Sequence, residues 1–163
     1  MIFIKIVAIA LLILLSSFNT SDQSGKAGGN NSKMKIEFYL PLGGNAFSST
    51  PFAKIKTITN NGISNWTNSE EYYTAYFRIS EPGIFKFSID KESLVVLGKS
   101  TLEFSINNES KKVEFNNTKK DSYQIGSWEI KEPGYVALKI KGISKNKSNF
   151  PSISRVTINS SIA

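Results

Sequence analysis

The chain of 163 residues contains no cysteine and no histidine. Without cysteine it can form no disulfide, thiolate nucleophile, iron–sulfur cluster, thiolate zinc site or lipid-anchored cysteine. Without histidine it lacks the commonest general base and the commonest transition-metal ligand. Nucleophilic triads of the usual kind therefore cannot be assembled. A glycine-rich phosphate loop leading into a helix is missing too. Acidic residues are the minority, 13 against 20 Lys and Arg, for a formal charge of +7. Arginine is scarce, present only as Arg78 and Arg155. The lysines are spread along the chain in no dense stripe. That spread reads as solubility and strand-edge protection, and no nucleic-acid partner is expected.

Long apolar runs are scarce as well. One stands out, Ile6 to Leu15, and it is too short for a comfortable membrane span. Lys5 precedes it and polar residues follow from Ser16, which is the form of a secretory signal peptide. The signal is expected over residues 1–18, or to 27, because small residues surround both Ser17 and Ala27. An uncleaved anchor is the alternative. On either reading the chain is exported, with a secreted, periplasmic or cell-surface location, and no span beyond the signal or anchor is expected. Residues 19–32 are rich in Gly, Ser and Asn and read as a flexible linker. Residues 33–163 then form one domain, large enough to bury a core without staples.

Within that domain apolar residues alternate with period two. Met34, Ile36, Phe38 and Leu40 share one face of a first strand. Tyr73, Ala75, Phe77 and Ile79 share the inner face of another, with Tyr72, Thr74, Tyr76 and Arg78 on its outer face. Leu102, Phe104 and Ile106 point inward on a third. Asn107-Asn108-Glu109-Ser110 is a tight polar turn to its partner. The stretch Ala46 to Lys56 reads as irregular or a short strand. One pattern occurs twice. Phe77-Arg78-Ile79-Ser80-Glu81-Pro82-Gly83-Ile84-Phe85 is echoed by Trp128-Glu129-Ile130-Lys131-Glu132-Pro133-Gly134-Tyr135-Val136. Pro presets φ for the first central position of a turn, and Gly accepts the positive φ that a type II turn demands at the second. Each copy is therefore expected to close a β-hairpin. About nine strands and no long helix indicate an all-β, antiparallel two-sheet sandwich, most simply a jelly roll.

The order of pieces carries a resemblance. Leu42-Gly43-Gly44-Asn45-Ala46-Phe47 comes first, followed by Ile58-Thr59-Asn60-Asn61-Gly62-Ile63-Ser64-Asn65-Trp66. Tyr76-Phe77-Arg78-Ile79 with Pro82-Gly83, Phe104-Ser105-Ile106-Asn107 and Glu132-Pro133-Gly134-Tyr135-Val136 complete the series. Over most of residues 41–158 this resembles domain of unknown function 5077, a module of secreted bacterial proteins that often precedes a second domain. The resemblance implies a galactose-binding-like jelly roll similar to carbohydrate-binding modules. It brings no catalytic residues with it.

Two groups of residues have the chemistry that grips sugars, namely an aromatic face with planar amide or guanidinium donors. Trp66 lies in a loop with Asn60, Asn61 and Asn65, and Phe150 beside Asn149 would border the same end of the sandwich. Tyr72, Tyr76 and Arg78 form an outward stripe, and Asn45 follows the Gly43-Gly44 turn. Each has a plainer role available: a capping core Trp, strand-forming tyrosines, a surface ion pair of Arg78 with Glu70 or Glu81, and a turn Asn. Carboxylate pairs for glycoside hydrolysis are weak, because Glu70 and Glu71 would point to opposite sides of a strand. A structural calcium stays open, with Asp90, Glu92 and Asp121 in loops and no ligand set assigned. The expectation is a non-catalytic module binding glycan at a loop end of the sandwich. The alternative is a structural or protein-interaction accessory of the envelope.

Overall fold

The computed structural model describes residues 35–51, 56–116 and 120–161. The expected signal peptide (1–18, or to 27) and linker (19–32) lie outside the described residues, as does Met34. The strands are β1 (Lys35–Pro41), β2 (Ala46–Ser48), β3 (Ile58–Thr59), β4 (Gly62–Ile63), β5 (Tyr72–Ile79), β6 (Gly83–Asp90) and β7 (Leu94–Val95). They continue as β8 (Ser100–Ile106), β9 (Glu109–Phe115), β10 (Ser122–Ile130), β11 (Gly134–Lys145), β12 (Ser152–Ile153) and β13 (Arg155–Ser161). Among the described residues a single 3-10 turn, Lys91–Ser93, interrupts them.

Nine of these strands build a sandwich of two antiparallel sheets, in the orders β1-β13-β6-β10 and β2-β5-β11-β8-β9. The four two-residue strands form a small third sheet, β3-β4-β12-β7. The period-two alternation is realised as expected. Tyr73, Ala75, Phe77 and Ile79 of β5 are buried, and so are Leu102, Phe104 and Ile106 of β8 and Val136, Leu138 and Ile140 of β11. From the facing sheet come Phe85, Phe87 and Ile89 of β6 and Trp128 and Ile130 of β10. Phe87 meets the Trp128 ring edge-on at 5.0 Å and the Phe77 ring at 5.9 Å, so both sheets lock together around it. Truncating a fully buried Phe of this kind costs about 3–5 kcal/mol. The polar turn at Asn107 is also realised, with Ile106 paired to Glu109 and Asn107 at φ 54°.

The repeated Glu-Pro-Gly pattern departs from expectation. Neither copy closes a hairpin. Ile79 ends β5 in the five-stranded sheet, and Gly83 begins β6 in the four-stranded sheet. The second copy crosses back, from β10 in the four-stranded sheet to β11 in the five-stranded one. The copies pair with each other: β5 with β11, Ile79 opposite Gly134, and β6 with β10, Gly83 opposite Ile130. Phe77 and Ile79 before the first corner and Phe85 and Phe87 after it all point into one core, which the two arms reach from opposite sheets. The ladder hydrogen bonds of each arm are then supplied by the other copy.

Candidate functional site

The two residue groups singled out from the sequence meet different fates. Trp66 is fully buried. Its ring contacts Tyr73 edge-on at 4.8 Å and Phe150 at 4.7 Å, and its Nε1–H donates to the Asn68 carbonyl at 2.7 Å. Phe150, 2% exposed, is likewise in the core. The expectation of an exposed loop-end platform at Trp66 is therefore corrected. The indole is apolar enough to cap the core, and Asn68 satisfies its single donor inside the loop. Asn61 and Asn65 stay exposed, but their work is conformational. Asn61 lies in the β3–β4 turn, where its backbone N–H donates to Thr59 Oγ1 at 3.2 Å, and Asn65 holds a positive φ of 52°. With Trp66 withdrawn they have no aromatic face beside them.

The second group does form a surface. On the outer face of the five-stranded sheet, Tyr76 of β5 is 48% exposed and Phe47 of β2 is 61% exposed, and their rings meet at 5.9 Å, nearly edge-on. Tyr135 of β11 is 80% exposed and lies opposite Arg78, while Tyr76 lies opposite the small Ala137. Tyr135 is thus the diagonal neighbour of Tyr76, a spacing of about 7–8 Å in an antiparallel pair. The aromatic rings run across β2, β5 and β11 as a row. At its lower edge Tyr72 is half-buried and carries the Lys139 ammonium 3.7 Å above its ring, a cation–π contact. Asn45 is exposed at the entry to β2, where its Nδ2–H donates to the Pro41 carbonyl at 3.0 Å and its own carbonyl accepts the Tyr76 N–H at 3.4 Å.

Arg78 is exposed, and neither Glu70 nor Glu81 pairs with it. The ion pairs among the described residues are Lys99–Glu114, Lys111–Glu109 and Arg155–Glu92. Arg78 also lines a cleft of about 180 Å³ walled by Ile36, Phe38, Ile79 and Phe85, beside β5 where the short β2 leaves that strand uncovered. Phe47 and Tyr135 were not singled out from the sequence. Tyr135 carried a legible signal, since it is out of phase with the inward Val136, Leu138 and Ile140. Phe47 did not, because the pairing of Ala46–Ser48 with β5 depends on the tertiary fold.

Beneath the platform lies a buried polar cluster. Glu71, 4% exposed, accepts from Ser48 Oγ at 2.5 Å and from Thr57 Oγ1 at 3.1 Å. The Tyr73 hydroxyl lies beside them without a hydrogen bond of normal geometry. Burial holds that phenol well above its ordinary range, and the Glu71 carboxylate adds to the effect. Glu70 is exposed, so the adjacent carboxylates do not converge on one bond. The candidate calcium residues are also separate in role. Asp90 Oδ2 accepts from Thr157, Glu92 pairs with Arg155, and the Asp121 carbonyl accepts the Lys91 N–H. Among the described residues no group of three acidic side chains could hold a metal ion. None of their helices is long and apolar enough to cross a membrane.

Residues 40–163 match the family described as "Domain of unknown function (DUF5077)". The chain belongs to this family. Among solved structures it is similar to a Podospora anserina GH26-CBM35 β-(1,4)-mannanase, with a TM-score of 0.55 and 14% identity over 80% of this chain. A ruminal GH26 endo-β-1,4-mannanase matches over 77% of the chain at 13% identity and a TM-score of 0.48. The chain spans 28% and 26% of those two proteins, respectively. No curated protein matches it. At these identities the likeness to the first is one of fold. The two antiparallel sheets form the all-β sandwich expected from the sequence, a fold shared with part of the Podospora anserina protein.

Proposed function

We propose that this DUF5077 module is an exported, non-catalytic glycan-binding domain, and that the glycan lies across the outer face of the five-stranded sheet. The observation that carries the reading is the row of Phe47, Tyr76 and Tyr135, exposed side by side with an unpaired Arg78. Sugars present apolar C–H faces that stack on such rings, with hydroxyls that accept from a guanidinium. A row spaced across three strands suits successive residues of an extended chain better than one isolated sugar. The two-sheet sandwich is compatible with this role. The site moves from the loop end expected from Trp66 to the sheet face.

Catalysis has no support in the chemistry available. The chain has no His or Cys, and the one well-buried carboxylate among the described residues, Glu71, is engaged by two hydroxyls. Native electrophoresis through gels containing soluble polysaccharides tests the proposal. The wild type is retarded by at least one polymer, Tyr76→Ala/Tyr135→Ala loses about ten-fold in affinity or more, and Trp66→Phe binds as the wild type does. Retardation unaffected by the double substitution overturns the site.

A further inference from the structure

The rings of this face imply sugar, and the charges around them imply which kind. Strands β2, β5 and β11 contain no Asp or Glu, yet they place Arg78, Lys139 and Lys141 on the same outer face as Tyr76 and Tyr135. The acids nearest in the sheet are accounted for. Glu103 of β8 lies opposite Lys141 and also opposite Lys112 of β9, and Glu114 is paired with Lys99. Glu81, at the cleft beside Arg78, makes no ion pair with it. None of Arg78, Lys139 and Lys141 is in an ion pair among the described residues, and Arg78 and Lys139 also have no carboxylate opposite them in the ladder, as Lys141 has in Glu103. Arg78 and Lys139 flank the aromatic row, with Arg78 beside Tyr135 and Lys139 diagonal to Tyr76.

We infer that the ligand is an acidic polysaccharide, with uronate carboxylates gripped by Arg78 and Lys139 while the sugar rings stack on Tyr76 and Tyr135. This rests on the glycan-binding reading above. A guanidinium matches a carboxylate with two parallel N–H donors, so its register along the chain is specific as well as electrostatic.

The experiment pairs each acidic polymer with its own neutral form. Polygalacturonate, alginate and glucuronoxylan are each set into native gels beside their carboxyl-reduced counterparts, and the intact protein is run through both. The expected result is retardation by at least one acidic polymer and a loss of at least about ten-fold in affinity for its reduced form. Arg78→Gln should weaken binding by a similar factor, more than Lys86→Gln, which removes the same charge from the opposite sheet. Equal retardation by the acidic and reduced polymers overturns the charge proposal and leaves glycan binding standing, provided Tyr76→Ala abolishes both. Equal losses for Arg78→Gln and Lys86→Gln overturn it as well, because binding then follows net charge alone. Retardation by none of the six polymers, nor by any neutral glycan, overturns both readings.

Discussion

At the level of single residues, the position of a side chain relative to the sandwich surface decides its role more than its type does. Trp66 and Tyr76 are both aromatic residues near polar neighbours in the sequence, and the structure sends one inward and the other outward. Trp66→Ala should cost about 3–5 kcal/mol in urea denaturation, since it empties the space between Tyr73 and Phe150. Tyr76→Ala, at an exposed outer position, should cost at most about 1 kcal/mol. If the two losses are equal, the assignment of Trp66 to the core fails. Tyr73 gives a third case. Its hydroxyl is buried without a good partner, so Tyr73→Phe should leave stability unchanged or raise it by up to about 1 kcal/mol. The folded-state pKa of Tyr73 lies above the ordinary 10.0, so the neutral phenol's contribution is complete below pH 10 and is lost as pH rises beyond it. Denaturation at pH 8 and pH 11 should show a smaller loss for Tyr73→Phe than for the wild type. The outward phase of Tyr72, Tyr76 and Arg78 was legible in the sequence, because alternation sets it directly. The burial of Trp66 was legible only as one of two roles, a capping core Trp beside a ligand platform, because a loop has no period and the ring's fate depends on Tyr73 and Phe150 being brought to it by the fold.

Among the strands, the repeated Glu-Pro-Gly corners are the frame that holds the site. Both were legible as turns between strands, but not as crossings between sheets. Local turn chemistry specifies a reversal and does not say which strand supplies the hydrogen bonds. That information lies in pairings such as Tyr135 opposite Arg78, between residues far apart in the chain. The two corners are also not equivalent. Gly134 has φ +140°, a region that side chains rarely adopt, whereas no such angle is found at Gly83 and a Cβ there would meet only ordinary contacts at 3.8 and 3.9 Å. Gly134→Ala should therefore destabilise the domain by about 1–3 kcal/mol, and Gly83→Ala should stay within about 0.5 kcal/mol of the wild type. Thermal denaturation of the two variants measures the difference, and matching melting temperatures would count against it. Gly134 precedes Tyr135, so the backbone conformation that turns the corner lies next to the platform's most exposed ring.

For the molecule as a whole, function is divided between a buried interior that holds both tryptophans and an outer face that holds exposed tyrosines and Phe47. Trp66 and Trp128 are the only two tryptophans, at 0% and 2% exposure. Their fluorescence should resist quenching by acrylamide in the folded protein and should not shift when glycan binds. A glycan-dependent blue shift would return the site to the loop end at Trp66. The positive charge of the chain is thereby given a local meaning, because Arg78, Lys139 and Lys141 stand at the platform and none of them is in an ion pair among the described residues. Fold class was readable from strand periodicity, and the family from the order of its sequence pieces. The platform was only half readable, because a flat binding face is assembled by strand order, and strand order is a property of the complete sandwich.

The most direct test of the central claim is amide chemical-shift mapping of the isotopically labelled protein, titrated with oligosaccharides from whichever polymer retards it. The account predicts perturbations confined to residues 45–48, 72–78 and 135–141, with the Arg78 side-chain Nε–H signal among the largest. Perturbations centred on residues 60–68 and 146–151, with the β5 and β11 amides unmoved, would contradict it.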